Sequence, residues 1–351
     1  MKHVNNSLNF SVTIVSNALT GGGAEISMYA LHKSFLSQGF DCNLIALNES
    51  DANLLGPNTV SLNRRWKSGI FSTISNFLQF RKVIKCTESD FLILNCELPE
   101  FFGSLTRFKG KIICVEHTTM PWIGKRNLGR VVRTLLKFKK TVWISVVKGQ
   151  EKVWFGNQVS RYIPNPFVPP DTHGQDLPSK AVLSYVGGLK ENKRPEWVIK
   201  AGVELGLSVN IFGEGVLRKP LEDKYRNYIK QIKFYGFHSN PWELISRNSL
   251  VVVPSQYEGD GMVIMEAVLS GIPLALADNE DLRRFNLNNK HYFSSYDELV
   301  ALIQKHAENN FKDLLVSEQM TDALMRERSL KNVTDIWVNT LSSLKLNTSI
   351  N

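Results

Sequence analysis

The chain has 351 residues, 43% of them hydrophobic, and a net charge of +9. That is enough chain for a sizeable core in two domains, and no apolar run approaches the roughly 20 residues of a membrane-spanning helix. The charge is uneven: residues 1–165 carry 21 Lys and Arg against 10 Asp and Glu, and the remainder carries 21 against 23, so the first part is suited to an anionic surface.

In chain order, FSVTIVS predicts a first strand. It is too short for the apolar core of a signal peptide, which points to a cytosolic protein. A glycine turn and a helix over AEISMYALHKSFLSQG follow, with Ile26, Tyr29, Ala30, Lys33 and Leu36 or Phe35 at helical spacing and Gly39 as its stop. CNLIAL, FLILN, KIICVEH and TVWISVV read as further strands. Residues 163–180, IPNPFVPPDTHGQDLPSK, have the composition of a linker. Alternation then restarts with AVLSYVGGL, a helix through PEWVIKAGVELG, LSVNIFGEG, IKFYGF, a helix around NPWELISRN, and LVVVPS. Strands alternating with helices predict α/β domains with parallel sheets, whose ligands bind at the carboxyl ends of the strands. The cleft between two such domains is the expected site. The cysteines, Cys42, Cys86, Cys96 and Cys114, form neither a CxxC pair nor a metal-spaced cluster, the pattern of buried free thiols in a reducing compartment.

The stretch PSQYEGDGMVIMEAVLSGIPLA, 254–275, carries the most chemistry. A strand ending at Pro254 enters a glycine turn, and MVIMEAVLSG forms a helix with Val263, Ile264, Ala267 and Val268 as its apolar stripe. Backbone N–H groups near Gly261, Met262 and Val263 can bind a phosphate. Glu266, one turn further in, can accept hydrogen bonds from a ribose diol, and Glu258 can hold the hydroxyls of whatever the phosphate carries. The stretch resembles the donor-site motif of family 4 of the retaining glycosyltransferases, with its paired glutamates, and Asp260 stands where that family carries a large residue. YVGGLKENKRPEWVIKA, 185–201, is similar to the family's diphosphate loop. Lys193 matches the lysine there, while Gly188 replaces an arginine, leaving Arg194 or Arg218 to compensate. The segment around Gly236 and Phe237 is similar to the one that contacts the base. GGGAE resembles the family's opening, in which Gly22 and Gly23 let the backbone approach the donor, and Glu25 reads as structural. His117 matches a histidine lining the donor sugar's 6-position, and Asn165 an asparagine at the domain junction.

The resemblance implies a GT-B fold: two Rossmann-like α/β domains whose parallel sheets face an interdomain cleft. An acceptor-binding domain would span 1–165 with a crossover helix at about 333–351, and a donor-binding domain 166–332. It further implies retaining transfer of a hexose or N-acetylhexosamine from a nucleotide-sugar, UDP-linked, to a lipid-linked or lipopolysaccharide acceptor. No metal or other cofactor is expected, and the sequence shows no Asp-x-Asp. Lys193 and the helix after Gly261 would stabilise charge on the leaving diphosphate. A catalytically weak scaffold remains an alternative because of Gly188 and Asp260. A nicotinamide-dependent enzyme fits less well, because GGGAE lacks the GxGxxG spacing. No nucleic-acid-binding module is visible. NLGRVVRTLLKFKK, 127–140, places Arg130, Arg133, Lys137 and Lys140 on one helical face. With RRWKSGIFSTISNFLQFRK, 64–82, which contains Trp66, Phe71, Phe77 and Phe80, it is expected to dock on the anionic inner face of the cytoplasmic membrane.

Overall fold

The computed structural model describes residues 10–19, 22–50, 52–65, 69–150, 160–167, 181–238 and 240–348. Most of the proline-rich stretch and Trp66 lie outside them. The chain divides into one unit of Met1–Val168 with Glu327–Asn351 and a second of Pro169–Arg326, so it re-enters the first unit ahead of the expected position 333.

The first run of elements is β1 (Ser11–Ser16), α1 (Gly23–Ser37), β2 (Asp41–Asn48), β3 (Thr59–Arg64), α2 (Ile70–Lys85), β4 (Phe91–Asn95), α3 (Glu97–Leu105), β5 (Lys111–Glu116), α4 (Arg126–Phe138), β6 (Val142–Ser145) and β7 (Arg161–Tyr162). The second is β8 (Val182–Val186), α5 (Pro195–Leu205), β9 (Ser208–Phe212), α6 (Arg218–Lys224), β10 (Ile232–Gly236), β11 (Ser249–Val253), α7 (Met262–Leu269), β12 (Leu274–Ala277), α8 (Glu280–Arg283), β13 (Tyr292–Phe293), α9 (Tyr296–Ala307) and α10 (Glu318–Arg328). The last helix is α11 (Leu330–Thr348).

Every strand pairing among the described residues is parallel. The sheet orders are β3-β2-β1-β4-β5-β6-β7 and β10-β9-β8-β11-β12-β13. Each reverses direction once, between β1 and β4 and between β8 and β11, and that is where open α/β sheets bind ligands. Strands covered on both faces sort their side chains with period two. In β4, Phe91 and Ile93 join the core shared with α1 and α11, while Leu92 and Leu94 join the core shared with α2, α3 and α4. α11 closes the first of these cores with Val333, Trp337, Leu341 and Leu344. Thr334 on α11 donates to Ser34 on α1 (2.8 Å), and Lys345 pairs with Asp90 (2.9 Å).

Three details differ from the sequence expectation. The buried face of α1 is Met28, Leu31 and Phe35 with Ser27, His32 and Ser34, so the expected stripe is rotated and Ile26 is exposed. Gly39 ends the turn at φ +84. The helix expected around NPWELISRN is only a 3-10 turn over Pro241–Glu243, because Ser246 Oγ accepts the Asn248 N–H and diverts the backbone into β11. Cys42 and Cys114 are buried free thiols, whereas Cys86 is exposed.

Candidate active site

In the second unit the sequence-predicted residues gather at the carboxyl ends of β8 and β11, on either side of the sheet reversal. β11 is a buried apolar strand that stops at Pro254, and the chain turns through Glu258–Gly261 into α7. Gly261 caps α7 at φ +68, and a Cβ there would sit 2.6 Å from the Phe285 ring, so glycine alone fits. The first N–H groups of α7, at Met262 and Val263, fall outside the helical ladder and point along the positive end of the helix dipole.

Lys193 Nζ donates to Glu258 Oε2 at 2.6 Å, and Ser255 Oγ donates to the same oxygen at 3.2 Å. Both charged side chains are largely covered, Lys193 25% and Glu258 17% exposed. The two loops are stitched by Gln256 N–H donating to the Asn192 carbonyl (2.8 Å). The turn itself is clamped by residues the sequence reading missed. Glu258 N–H donates to Asp281 Oδ2 (2.8 Å), Arg284 donates to the carbonyls of Glu258 (3.1 Å) and Gly259 (3.0 Å), and Asn279 donates to the Ser255 carbonyl (2.9 Å). Asp260 is buried within that turn.

Glu266 lies one turn into α7, and Trp242 Nε1 donates to its Oε2 at 3.1 Å. Burial pushes the Glu266 carboxyl up to about 7, and the indole N–H acts against that shift. Gly236 ends β10 at φ +76, its carbonyl accepts the Gly213 N–H (2.7 Å), and Phe237 beyond it is exposed. Neither candidate replacement for the arginine absent at Gly188 is idle: Arg218 pairs with Glu214 and Glu222, and Arg194 lies over the Trp197 ring at 4.6 Å. The side chain nearest the space at Gly188 is Lys190, whose Cε lies 3.6 Å from where a Cβ would stand.

In the first unit, Gly22 caps α1 and Gly23 is its first residue, on the connection that leaves β1. Glu25 folds back beside Gly22 and takes a hydrogen bond from Asn17 (3.4 Å), and burial raises its pKa. His117 follows β5. Asn165 Nδ2 donates to its Nδ1 at 3.3 Å, which puts the ring proton on Nε2, a buried atom with no described partner. Burial pushes His117 down to about 3, so it is a neutral hydrogen-bond donor.

The cationic face expected on 127–140 requires a correction. Arg130 and Lys137 are exposed on α4, and Lys140 lies exposed beyond its end. Arg133 is buried. It donates to Glu100 Oε1 (3.0 Å) and Glu116 Oε1 (3.1 Å), and its guanidinium lies 4.7 Å from the centre of the Trp143 ring. Trp122 Nε1 completes the cluster by donating to Glu100 (2.9 Å). Desolvation raises both carboxyls, Glu116 to about 7. The exposed stripe of α4 is instead apolar: Leu128, Val131, Leu135 and Phe138, the last 82% exposed. α2 presents a similar stripe of Phe71, Ile74 and Leu78, while Phe80 faces the core. Neither 52–87 nor 117–150 contains an acidic residue. Among the described residues, no helix is long and apolar enough to cross a membrane.

Residues 174–320 match the family model for glycosyl transferases group 1. The chain is 22% identical over 186 residues to a poly(ribitol-phosphate) alpha-N-acetylglucosaminyltransferase of Staphylococcus aureus, a stretch covering 47% of this chain and 36% of that one. It is 24% identical over 211 residues to a Campylobacter jejuni alpha-1,4-N-acetyl-D-galactosaminyltransferase acting on a diNAcBac-PP-undecaprenol glycan, covering 57% and 58% of the two chains. The matched stretches thus span between about a third and three fifths of these relatives. Among solved structures, Anabaena HepE in complex with UDP and glucose superposes with a TM-score of 0.77 at 15% identity, over 95% of this chain and 100% of that one. The two sheets therefore form a GT-B fold, and the stretch that matches the group 1 glycosyl transferase model lies within the second unit.

Proposed function

We propose that the chain moves a hexose or N-acetylhexosamine from a nucleotide-sugar, UDP-linked, to a lipid-linked or lipopolysaccharide glycan, with retention at the anomeric carbon. The observation that carries this reading is the pairing of Lys193 with Glu258 at the sheet reversal, next to the N-terminus of α7 and with Glu266 one turn in. Breaking a sugar–diphosphate bond puts negative charge on the leaving group and leaves the sugar oxocarbenium-like. Fixed positive charge and N–H dipoles at the diphosphate are what such a step needs. Lys193 and the Met262 and Val263 N–H groups supply them. Glu258 holds sugar hydroxyls, Glu266 the ribose diol, the backbone at Gly236 and Phe237 the base, and the His117 Nε2–H the sugar's 6-position. Gly22 and Gly23 let the backbone approach the donor.

The acceptor side fits a protein lying on the inner face of the cytoplasmic membrane. The apolar stripes of α2 and α4 would enter the interface, while Arg130, Lys137 and Lys140 meet anionic headgroups. The family resemblance assigns no metal to the reaction, so transfer is expected to survive chelator.

A panel of nucleotide sugars and free UDP, read by thermal stabilisation, tests the reading, because a ligand that binds only the folded state raises its apparent stability. UDP and one UDP-sugar should stabilise the protein. The absence of any shift with any nucleotide or nucleotide sugar would overturn the proposal.

A further inference from the structure

We infer that Trp242 is a positioning residue for the nucleoside half of the donor: its indole N–H sets the Glu266 carboxylate for the ribose and ties that carboxylate to the loop that meets the base. This rests on the nucleotide reading above and adds a residue that the sequence motif does not contain.

Trp242 lies on the 3-10 turn Pro241–Glu243, within the connection from β10 to β11 that begins with Gly236 and Phe237. Glu266 belongs to a different element, α7. The Trp242 ring is buried, 3% exposed, and the turn is fixed by the Leu244 and Ile245 N–H groups donating to the Pro241 carbonyl (2.9 and 3.1 Å). The ring therefore cannot swing to follow the carboxylate. Its N–H holds Oε2, which leaves Oε1 and the second lone pair of Oε2 for two hydroxyl donors, the number a ribose diol offers. A shift of the base loop would thereby be felt at Glu266.

The electrostatics point the same way. Burial raises the Glu266 carboxyl and the Trp242 hydrogen bond lowers it, with no charged side chain among the described residues contributing. A diol donates to the ionised form, so binding favours the carboxylate, and affinity should rise with pH as Glu266 ionises around 7. Removal of the indole N–H takes away the one hydrogen bond that favours the charged form, so that rise should move to higher pH.

The test is UDP affinity by calorimetry from pH 6 to pH 8.5 for the full chain, Trp242→Phe, Glu266→Gln and the double variant. Trp242→Phe keeps an aromatic ring at the position but removes the N–H, and should weaken UDP roughly tenfold near pH 7, the effect of losing a hydrogen bond to a charged group. It should also displace the pH profile upward. Glu266→Gln should flatten the profile, and adding Trp242→Phe to it should change affinity less than it does in the native background. An unchanged UDP affinity and pH profile in Trp242→Phe would overturn the inference and leave the nucleotide reading intact. Failure of the native protein to bind UDP, GDP or ADP would overturn both. Should Trp242→Phe not fold, the indole N–H resonance of Trp242 in the native chain replaces it. That resonance should titrate around pH 7 and stop titrating in Glu266→Gln, and a resonance insensitive to both refutes the coupling.

Discussion

Replacement of Arg133 by Met is the sharpest probe of the first unit. The substitution keeps most of the side-chain volume but leaves Glu100 and Glu116, each 2% exposed, without their cation. Removing one partner of a buried ion pair costs roughly 3–5 kcal/mol, because the remaining charge has neither water nor a counter-ion. Loss of the Trp143 contact adds to this. In a domain of this size each kcal/mol lowers Tm by about 2–4 °C, so the melting point should fall by roughly 6–20 °C. The sign with pH follows from the carboxyls. Both are raised, so the folded state binds their protons more tightly than the unfolded state, and stability declines as pH rises from the ordinary carboxylate range through about 7 for Glu116. Without Arg133 that decline should steepen, so the loss measured by urea unfolding should be larger at pH 8 than at pH 5.5. Exchanging Glu100 and Glu116 for Gln in the same background should recover part of it. A loss below about 1 kcal/mol, or one independent of pH, would refute the claim that Arg133 holds two buried carboxylates.

Glu266→Ala should weaken both UDP and the UDP-sugar, whereas Glu258→Ala should weaken the sugar nucleotide alone; equal effects on both ligands in calorimetry would rule out the division of roles. Lys193→Ala should lower kcat by about a hundredfold or more, the size of effect seen when a group stabilising transition-state charge is lost, and a tenfold or smaller loss in steady-state assays would contradict it. Gly261→Ala forces a Cβ against the Phe285 ring at φ +68 and should cost about 1–3 kcal/mol in denaturant unfolding. Val131→Asp with Phe138→Asp should abolish sedimentation with phosphatidylglycerol vesicles while Tm stays within a few degrees, since exposed substitutions away from special sites cost little; unchanged sedimentation would remove α4 from the membrane reading.

The strand–turn–helix of 249–269 was legible because each of its signals is local. An apolar run marks β11, the glycines mark the turn, and a helical stripe of Val263, Ile264, Ala267 and Val268, all but Val263 buried, marks α7. The residues that hold the turn in place were not legible. Asn279, Asp281 and Arg284 reach it from a segment after β12, and only the parallel order of the sheet brings them there. On α4 the spacing of Arg130, Arg133 and Lys137 predicts one exposed cationic face, but only Arg130 and Lys137 are exposed and Arg133 turns into the core. Gly129, Val132, Arg133 and Leu136 make the buried stripe, and Leu128, Val131, Leu135 and Phe138 the exposed one. A period of 3.6 residues gives the angle between stripes but not which of them the core selects. The selection came from Glu100 and Glu116, acids from α3 and β5 that need a cation.

The Lys193–Glu258 contact bears on how the proposed donor site would work. Two donors, Lys193 Nζ and Ser255 Oγ, converge on the same oxygen of Glu258, so the carboxylate is held from the protein side while its other oxygen takes no part in either bond. The Lys193–Glu258 pair thereby balances its own charge. An incoming diphosphate would compete with Glu258 for Lys193, and sugar hydroxyls would replace the lysine as donors to Glu258. Lys193 would then exchange one anionic partner for another, and Glu258 would exchange its cation for hydrogen bonds from the hydroxyls while keeping the one from Ser255, so neither charge stands unsatisfied in a half-buried place where an unpaired ion is costly. This also explains why the turn needs an external clamp. If Lys193 leaves Glu258 when the donor binds, the position of Glu258 must be fixed through its backbone, and the hydrogen bonds from its N–H to Asp281 and from Arg284 to its carbonyl do so without involving the carboxylate. The clamp keeps Glu258 in register whether or not the lysine stays, which a loop held by the ion pair alone could not do.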